Sequence, residues 1–233
     1  MFLAWLEPHL ENDQKNQISI EIGSQLKEPL AKMSETNTRL VKIDESLEDL
    51  KPFIHDVIAH QFQNALKLSP QALGTRLPAV RNLLTVAQNQ GVQVDPQTTY
   101  LLSQRMSQIQ TKLPDFWPTA TQLISYRSSL FWGGESATLP ICLPKDMRHW
   151  GVDGFEFSNC FLDLDGKTLA NDRCVHCVVR YSGGYVSIQN LELTDCLLIF
   201  SVTGDKAPSQ NGQKLEQTLL TSDLRNITIS GIS

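Results

Sequence analysis

The apolar residues Leu30, Met33, Leu40, Ile43, Leu47, Leu50, Ile54 and Val57 recur mostly at steps of three and four, with Asn37 filling one position of the stripe. That spacing predicts a helix, because residues three or four apart share a helix face. Pro29 suits its first turn, while Pro52 should restart or kink it, so the helix is expected over about 30–51. The stripe is one narrow seam. Coiled coils carry seams of this width, and a polar Asn37 on one would fix register or strand number. The competing reading is a helix packed on its own domain.

From about 69 to 131 the pattern changes to several short apolar faces with helix-start signals before them. Ser69-Pro70, Asp95-Pro96 and Asp115 ahead of Phe116-Trp117-Pro118 each offer a capping side chain with a proline at or near an early helical position. Val80, Leu83, Leu84 and Ala87 make one face over Ala79 to Gln90, which Gly91 is placed to end. Leu101, Leu102, Met106, Ile109 and Leu113 make a second, and Trp117, Ala120, Leu123 and Ile124 a third. Three or four short helices sharing one core are expected. Their polar remainder is rich in Gln and Ser and looks unsuited to catalysis.

Beyond about Trp150 the period shifts from helical to alternating, and the chain repeats itself. Asn159-Cys160-Phe161-Leu162-Asp163-Leu164-Asp165-Gly166 matches His176-Cys177-Val178-Val179-Arg180-Tyr181-Ser182-Gly183, then Asp195-Cys196-Leu197-Leu198-Ile199-Phe200-Ser201 and, more weakly, Asn226-Ile227-Thr228-Ile229-Ser230-Gly231. The first three cysteines stand 17 and 19 residues apart. A period of that length with strand-like alternation predicts a short parallel β-solenoid, each coil rising one strand spacing of roughly 4.8 Å. Cys160, Leu162 and Leu164 should then stack inside on Cys177, Val179 and Tyr181, next on Cys196, Leu198 and Phe200, and last on Ile227 and Ile229. Asp163 and Arg180 fall outside at matching positions and can pair. Gly183-Gly184 should turn a tight corner. Gly204 to Gln217 is expected to bulge out as a mobile loop.

The fold class expected is α+β: a coiled-coil-like helical segment at 1–68, a helical domain at 69–135 and the solenoid at 136–233. With 233 residues, 41% of them hydrophobic, the chain can bury a core without help from disulfides. A net charge of −5 and the lack of any basic run argue against nucleic acid as a partner. The odd set Cys142, Cys160, Cys174, Cys177 and Cys196 favours free thiols in a reducing compartment. Met1-Phe2-Leu3-Ala4-Trp5-Leu6 is far shorter than the roughly 20 apolar residues of a membrane helix and lacks the basic start of a signal peptide. A cytoplasmic location is therefore expected, with one alternative: the run is the end of a truncated membrane helix that tethers the protein to the inner face of the membrane.

Three groups of residues invite a chemical reading. Cys174-Val175-His176-Cys177, with Cys160 and Cys196 nearby, could supply zinc ligands. The usual ligand spacings are missing, however, and on a regular strand Cys174 and His176 face away from Cys177, so buried core cysteines are preferred. Asp163, Asp165 and Asp172 could act as an acid and base pair on a polysaccharide; solvated turn residues explain them better. Asp56 and His60 share a helix face with His55 beside them, but no second carboxylate or histidine completes a site. No catalytic, cofactor-binding or metal residue is assigned, and no cofactor is expected.

Leu50-Lys51-Pro52-Phe53-Ile54, Arg76-Leu77-Pro78-Ala79-Val80-Arg81 and the Tyr181-Ser182-Gly183-Gly184 corner together resemble an uncharacterised group of bacterial proteins with an N-terminal helical region and a C-terminal β-solenoid. The resemblance brings no activity and no functional residues. It does imply a membrane helix ahead of the coiled-coil segment, which favours membrane association through Met1 to Leu6. The function expected is that of a non-enzymatic scaffold or protein-binding protein that self-associates through its N-terminal helix. The alternatives are a small carbohydrate-active β-helix enzyme and a thiol or zinc sensor.

Overall fold

Capping side chains and prolines start most of the helices where the sequence placed them. The computed structural model describes residues 50–133, 139–142, 148–150, 154–201 and 207–233. The chain divides into two units, 1–54 and 55–233, and of the first only residues 50–54 are described. The coiled-coil stripe over 30–49 and the run Met1 to Leu6 lie outside the described residues. Among the described residues no helix is long and apolar enough to cross a membrane.

The class is α+β. Helix α1 (50–66) is helical from its first described residue, Pro52 included. It is followed by α2 (Pro70–Gly74), α3 (Leu77–Asn89), α4 (Pro96–Ser107) and α5 (Phe116–Ser129). The Ser69 side chain accepts from the N–H of Ala72 and that of Asp95 from the N–H of Thr98, satisfying donors that a helix start leaves open. Asp115 stands at the cap of α5 but its side chain makes no capping bond. Ile58, Phe62, Leu84, Leu102, Met106, Phe116, Leu123 and Ile124 fill the core between these helices. Tyr126 crosses it: its hydroxyl accepts from Val94 N–H (3.0 Å) and donates to the Val92 carbonyl (2.7 Å).

The strands are β1 (Arg148–Trp150), β2 (Gly154–Ser158), β3 (Phe161–Asp163), β4 (Lys167–Leu169), β5 (Asp172–Val175), β6 (Val178–Tyr181), β7 (Val186–Thr194), β8 (Leu197–Phe200) and β9 (Asn226–Ile232). Strands β3, β6 and β8 form a parallel sheet in which Leu162, Val179 and Leu198 stand opposite one another. A second sheet runs β1-β2-β5-β7-β4, and β9 pairs with β7.

The second sheet is mixed, which corrects the expected solenoid. β2, β5 and β7 pair in parallel, but β1 pairs antiparallel with β2 and β9 antiparallel with β7, so the sheet is not parallel throughout and the fourth copy adds no parallel coil. Ile227 stands opposite Leu193 on β7 and does not extend the stack past Cys196. The reason lies on β8, whose free edge is already occupied by α5. Ser128 Oγ accepts the Leu198 N–H (3.0 Å) and Ser125 Oγ accepts the Phe200 N–H (2.8 Å). Two serines three apart on one helix face thus satisfy a strand edge that would otherwise seek another strand.

The expected loop Gly204 to Gln217 is also corrected, because Gln210–Thr221 forms helix α6. Ser209 caps it by accepting the Gly212 N–H (3.1 Å), and Leu215, Leu219 and Leu220 are buried at helical spacing. Gly212 is required there: a Cβ on it would lie 1.7 Å from the Tyr181 hydroxyl. At its other end α6 is capped by Arg127 from α5. One guanidinium nitrogen donates to the carbonyls of Leu219 (3.2 Å) and Leu220 (3.4 Å), the other to that of Ser222 (2.8 Å). A cation at a helix C-terminus opposes the helix dipole as well as filling the open acceptors. Burial lowers Arg127 only to about 10, so it stays charged at neutral pH.

Candidate functional site

The cysteines lie at the turns that join the two sheets. Asn159, His176 and Asp195, each immediately before a cysteine, have φ of 50°, 51° and 48°. Left-handed backbone is uncommon outside glycine, and Asn, Asp and His are the residues that adopt it most readily. The repeat Asn-Cys, His-Cys, Asp-Cys is therefore a corner signal. The corner N–H groups of Asn159 and His176 donate across one strand spacing to the carbonyls of Val175 (3.1 Å) and Thr194 (3.0 Å). This corner turns each following cysteine inward, so Cys160, Cys177 and Cys196 are all buried.

The same corner overturns the opposed faces expected for Cys174 and Cys177. A regular strand would alternate them, but the left-handed His176 breaks the alternation between β5 and β6. Both cysteines are fully buried while His176 points outward and is exposed. The zinc set that counted His176 as a ligand is not assembled.

The expectation of five free thiols is corrected too. Cys142 and Cys160 form a disulfide, leaving Cys174, Cys177 and Cys196 free and buried. Cys142 reaches Cys160 because Ile141 bridges to Phe161 in parallel, with Cys142 N–H donating to the Phe161 carbonyl (3.0 Å). The 139–142 segment thus sits on the β3 edge as one more step of the stack. Its separation of 18 residues from Cys160 fits the repeat, a signal present in the sequence that the alignment of copies overlooked.

Cys177 Sγ lies 3.8 Å from Cys160 Sγ. The sulfurs of Cys142, Cys160 and Cys177 all fall within 4.8 Å of one another. On its other side Cys177 meets Cys174 and Cys196. Hydrogen bonds from these two thiols hold Cys177 low, and the same bonds together with burial push Cys174 and Cys196 up. The interior therefore gathers five sulfurs, with Cys142 half-buried and the other four buried.

The acidic residues are engaged in structure. Asp163 pairs with Arg180 directly across β3 and β6, and it accepts the Asp165 N–H at 3.2 Å. Asp165 accepts from Ser182 (2.9 Å) and Gly184 (2.8 Å), holding the corner at Gly183, whose φ is 94°. Asp172, buried, accepts from Phe155 (2.9 Å) and Ala170 (3.0 Å). These are turn and register roles, with each carboxylate bound to an arginine or to backbone donors. Among the histidines, His60 bonds Asn64 at 3.1 Å and His55 lies 3.7 Å from Asp56, so Asp56 and His60 are not brought together by any bond the structure shows.

One buried acid was not foreseen. Glu216 on α6 is fully buried, neither carboxylate oxygen has a partner among the described residues, and burial pushes its pKa up to about 9. It sits one turn after Gly212 on the face that presses on Tyr181 and is protonated at neutral pH.

A different feature lies on the helical side. Val57, Ile58, Ala65 and Leu68 from α1 and the residues after it face Val80, Leu83 and Val86 of α3 across an open groove of about 490 Å³. Val57 and Val86 remain 44% and 46% exposed. In the described part of the first unit, Leu50 and Phe53 are likewise exposed.

Compared with protein-family models, with curated proteins and with solved structures, the chain finds no match.

Proposed function

We propose that this protein is a non-enzymatic scaffold that self-associates through the apolar groove between α1 and α3. The observation that carries the reading is that groove, together with the exposed Val57 and Val86 at it. Helix α1 already uses Ile58, Phe62 and Ala65 for its own core. Val57, beside that core face, stays exposed at the groove and is suited to docking. The occupant we assign is a second copy of the chain. The seam Leu40, Ile43, Leu47, Leu50, Ile54 runs through the sequence directly into Val57, so two copies would present matching apolar surfaces to each other, as two-fold interfaces require.

The alternatives draw less support. A carbohydrate-active site would need carboxylates free to reach a sugar, and Asp163, Asp165 and Asp172 are bound to an arginine or to backbone donors. A sensor built on Cys174, His176 and Cys177 would need a histidine that faces the thiols.

Sedimentation velocity on the full chain tests the scaffold reading. Wild type should associate, and Val57→Glu and Val86→Glu should shift it toward monomer with helical circular dichroism unchanged. A wild type that stays monomeric across the concentration range, as it would if the chain's own residues 1–49 filled the groove, overturns the proposal. So does association that survives both substitutions.

A further inference from the structure

The sulfur cluster carries an inference independent of self-association. Three sulfurs mutually within 4.8 Å admit two chemistries, disulfide exchange or a shared metal ion, and their arrangement distinguishes the two. For exchange, Cys177 must attack Cys160 along the line of the bond to Cys142. With Cys177 Sγ 3.8 Å from Cys160 Sγ, that line would put it about 6 Å from the sulfur of Cys142, given a usual S–S bond. It lies within 4.8 Å, well off that line.

A triangle is what a metal requires. Zinc bonds thiolate sulfur at about 2.3 Å, which sets tetrahedral S···S edges of about 3.8 Å. The Cys160 to Cys177 separation is already 3.8 Å. Opening the disulfide lets the Cys142 sulfur move out to the same spacing. Cys142 sits on the short 139–142 segment and is half-buried, the most exposed of the three cysteines.

We propose that Cys142, Cys160 and Cys177 form a redox-gated site for one soft divalent cation such as Zn²⁺, closed while Cys142 and Cys160 are joined and opened by a dithiol reductant. Reduction breaks the Cys142–Cys160 bond and places two electrons and two protons on the pair, and the dithiol leaves as its cyclic disulfide. The cation then binds three thiolates, releasing the protons that Cys142 and Cys160 carry to solvent, and a water or small thiol completes the tetrahedron. Re-oxidation by a disulfide oxidant re-forms the bond and expels the ion. Cys174 and Cys196 lie outside this group of three and take no part.

Cobalt(II) reports thiolate coordination directly, through sulfur-to-metal charge transfer in the near ultraviolet and strong tetrahedral bands in the visible. The full untagged chain, reduced by a dithiol that is then removed under argon, should bind one equivalent of Co²⁺ with that spectrum, and one equivalent of Zn²⁺ should bleach it. The oxidised chain should show none. Cys142→Ser and Cys177→Ser should abolish the spectrum, and Cys196→Ser should keep it. A reduced wild type without the spectrum overturns the proposal, as does full binding by Cys177→Ser or equal loss in Cys196→Ser. If Cys177→Ser does not fold, Cys142→Ser at the half-buried edge decides alone: retained binding there rejects the site.

Discussion

The helices of 69–131 and the strands of 154–232 satisfy their polar groups in opposite ways. Along the helices the partner stands three or four residues away: Ser69 answers Ala72, Asp95 answers Thr98, and Thr85 donates back to Arg81. Among the strands it stands 16 to 19 residues away, one step along the stack, as in Asn159 to Val175, Asp165 to Gly184 and His176 to Thr194. The last strand edge and the end of α6 are closed from farther still, by Ser125, Ser128 and Arg127 of α5. Losing one local cap therefore loosens one helix end, whereas removing a distant partner opens a seam between two elements.

Arg127→Met should produce the largest break. It leaves three buried or half-buried carbonyls of α6 without a donor, and a loss of about 3 kcal/mol is expected in urea unfolding. Native-state hydrogen exchange should show α6 opening first. Ser69→Ala, the local counterpart, should cost about 1 kcal/mol or less and leave α6 protected.

Glu216→Met acts in the opposite direction. The folded pKa, about 9, lies above the unfolded value, so the native acid keeps its proton while the unfolded chain ionises. Its penalty is absent below about pH 4.5, grows as pH rises and levels off above about 9. The gap between the variant and wild type should widen by up to about 1.4 kcal/mol per pH unit between about pH 4.5 and 9, seen as a melting-temperature difference that grows with pH. A constant difference would mean that Glu216 finds a partner.

Ser128→Ala tests the shared edge of α5 and β8 and should cost about 1 to 2 kcal/mol, because the Leu198 N–H is left buried and unpaired. A small effect, comparable to that of Ser69→Ala, is expected at the corners. His176→Val forces a β-branched residue into left-handed backbone and should cost about 1 kcal/mol, whereas His176→Gly should be close to neutral. Equal effects of the two would show that the imidazole itself matters.

The contrast also explains what could be read in advance. Helices α3, α4 and α5 were legible because a proline near each start and an apolar face are complete within one window, as Val80, Leu84 and Ala87 or Leu123 and Ile124 show. The inward stack of Cys160 on Cys177 and of Leu162 on Val179 on Leu198 was legible because repetition displays the neighbour in the sequence itself. Helix α6 was missed because the window closed at Gln217, before Leu219 and Leu220 completed its face. Cys142 is hard to read because the residues after it do not copy the alternation that follows the other cysteines.

The sequence by itself determined the helix starts, the strand alternation and the spacing that puts one cysteine beside the next, since each depends on residues near in the chain or on a repeat of them. Only the tertiary structure decided that α5 closes the β8 edge, that β9 turns back antiparallel along β7, and that Cys142 bonds Cys160. Those outcomes are competitions between distant groups for the same edge or the same sulfur, settled by which element reaches it when the chain is packed.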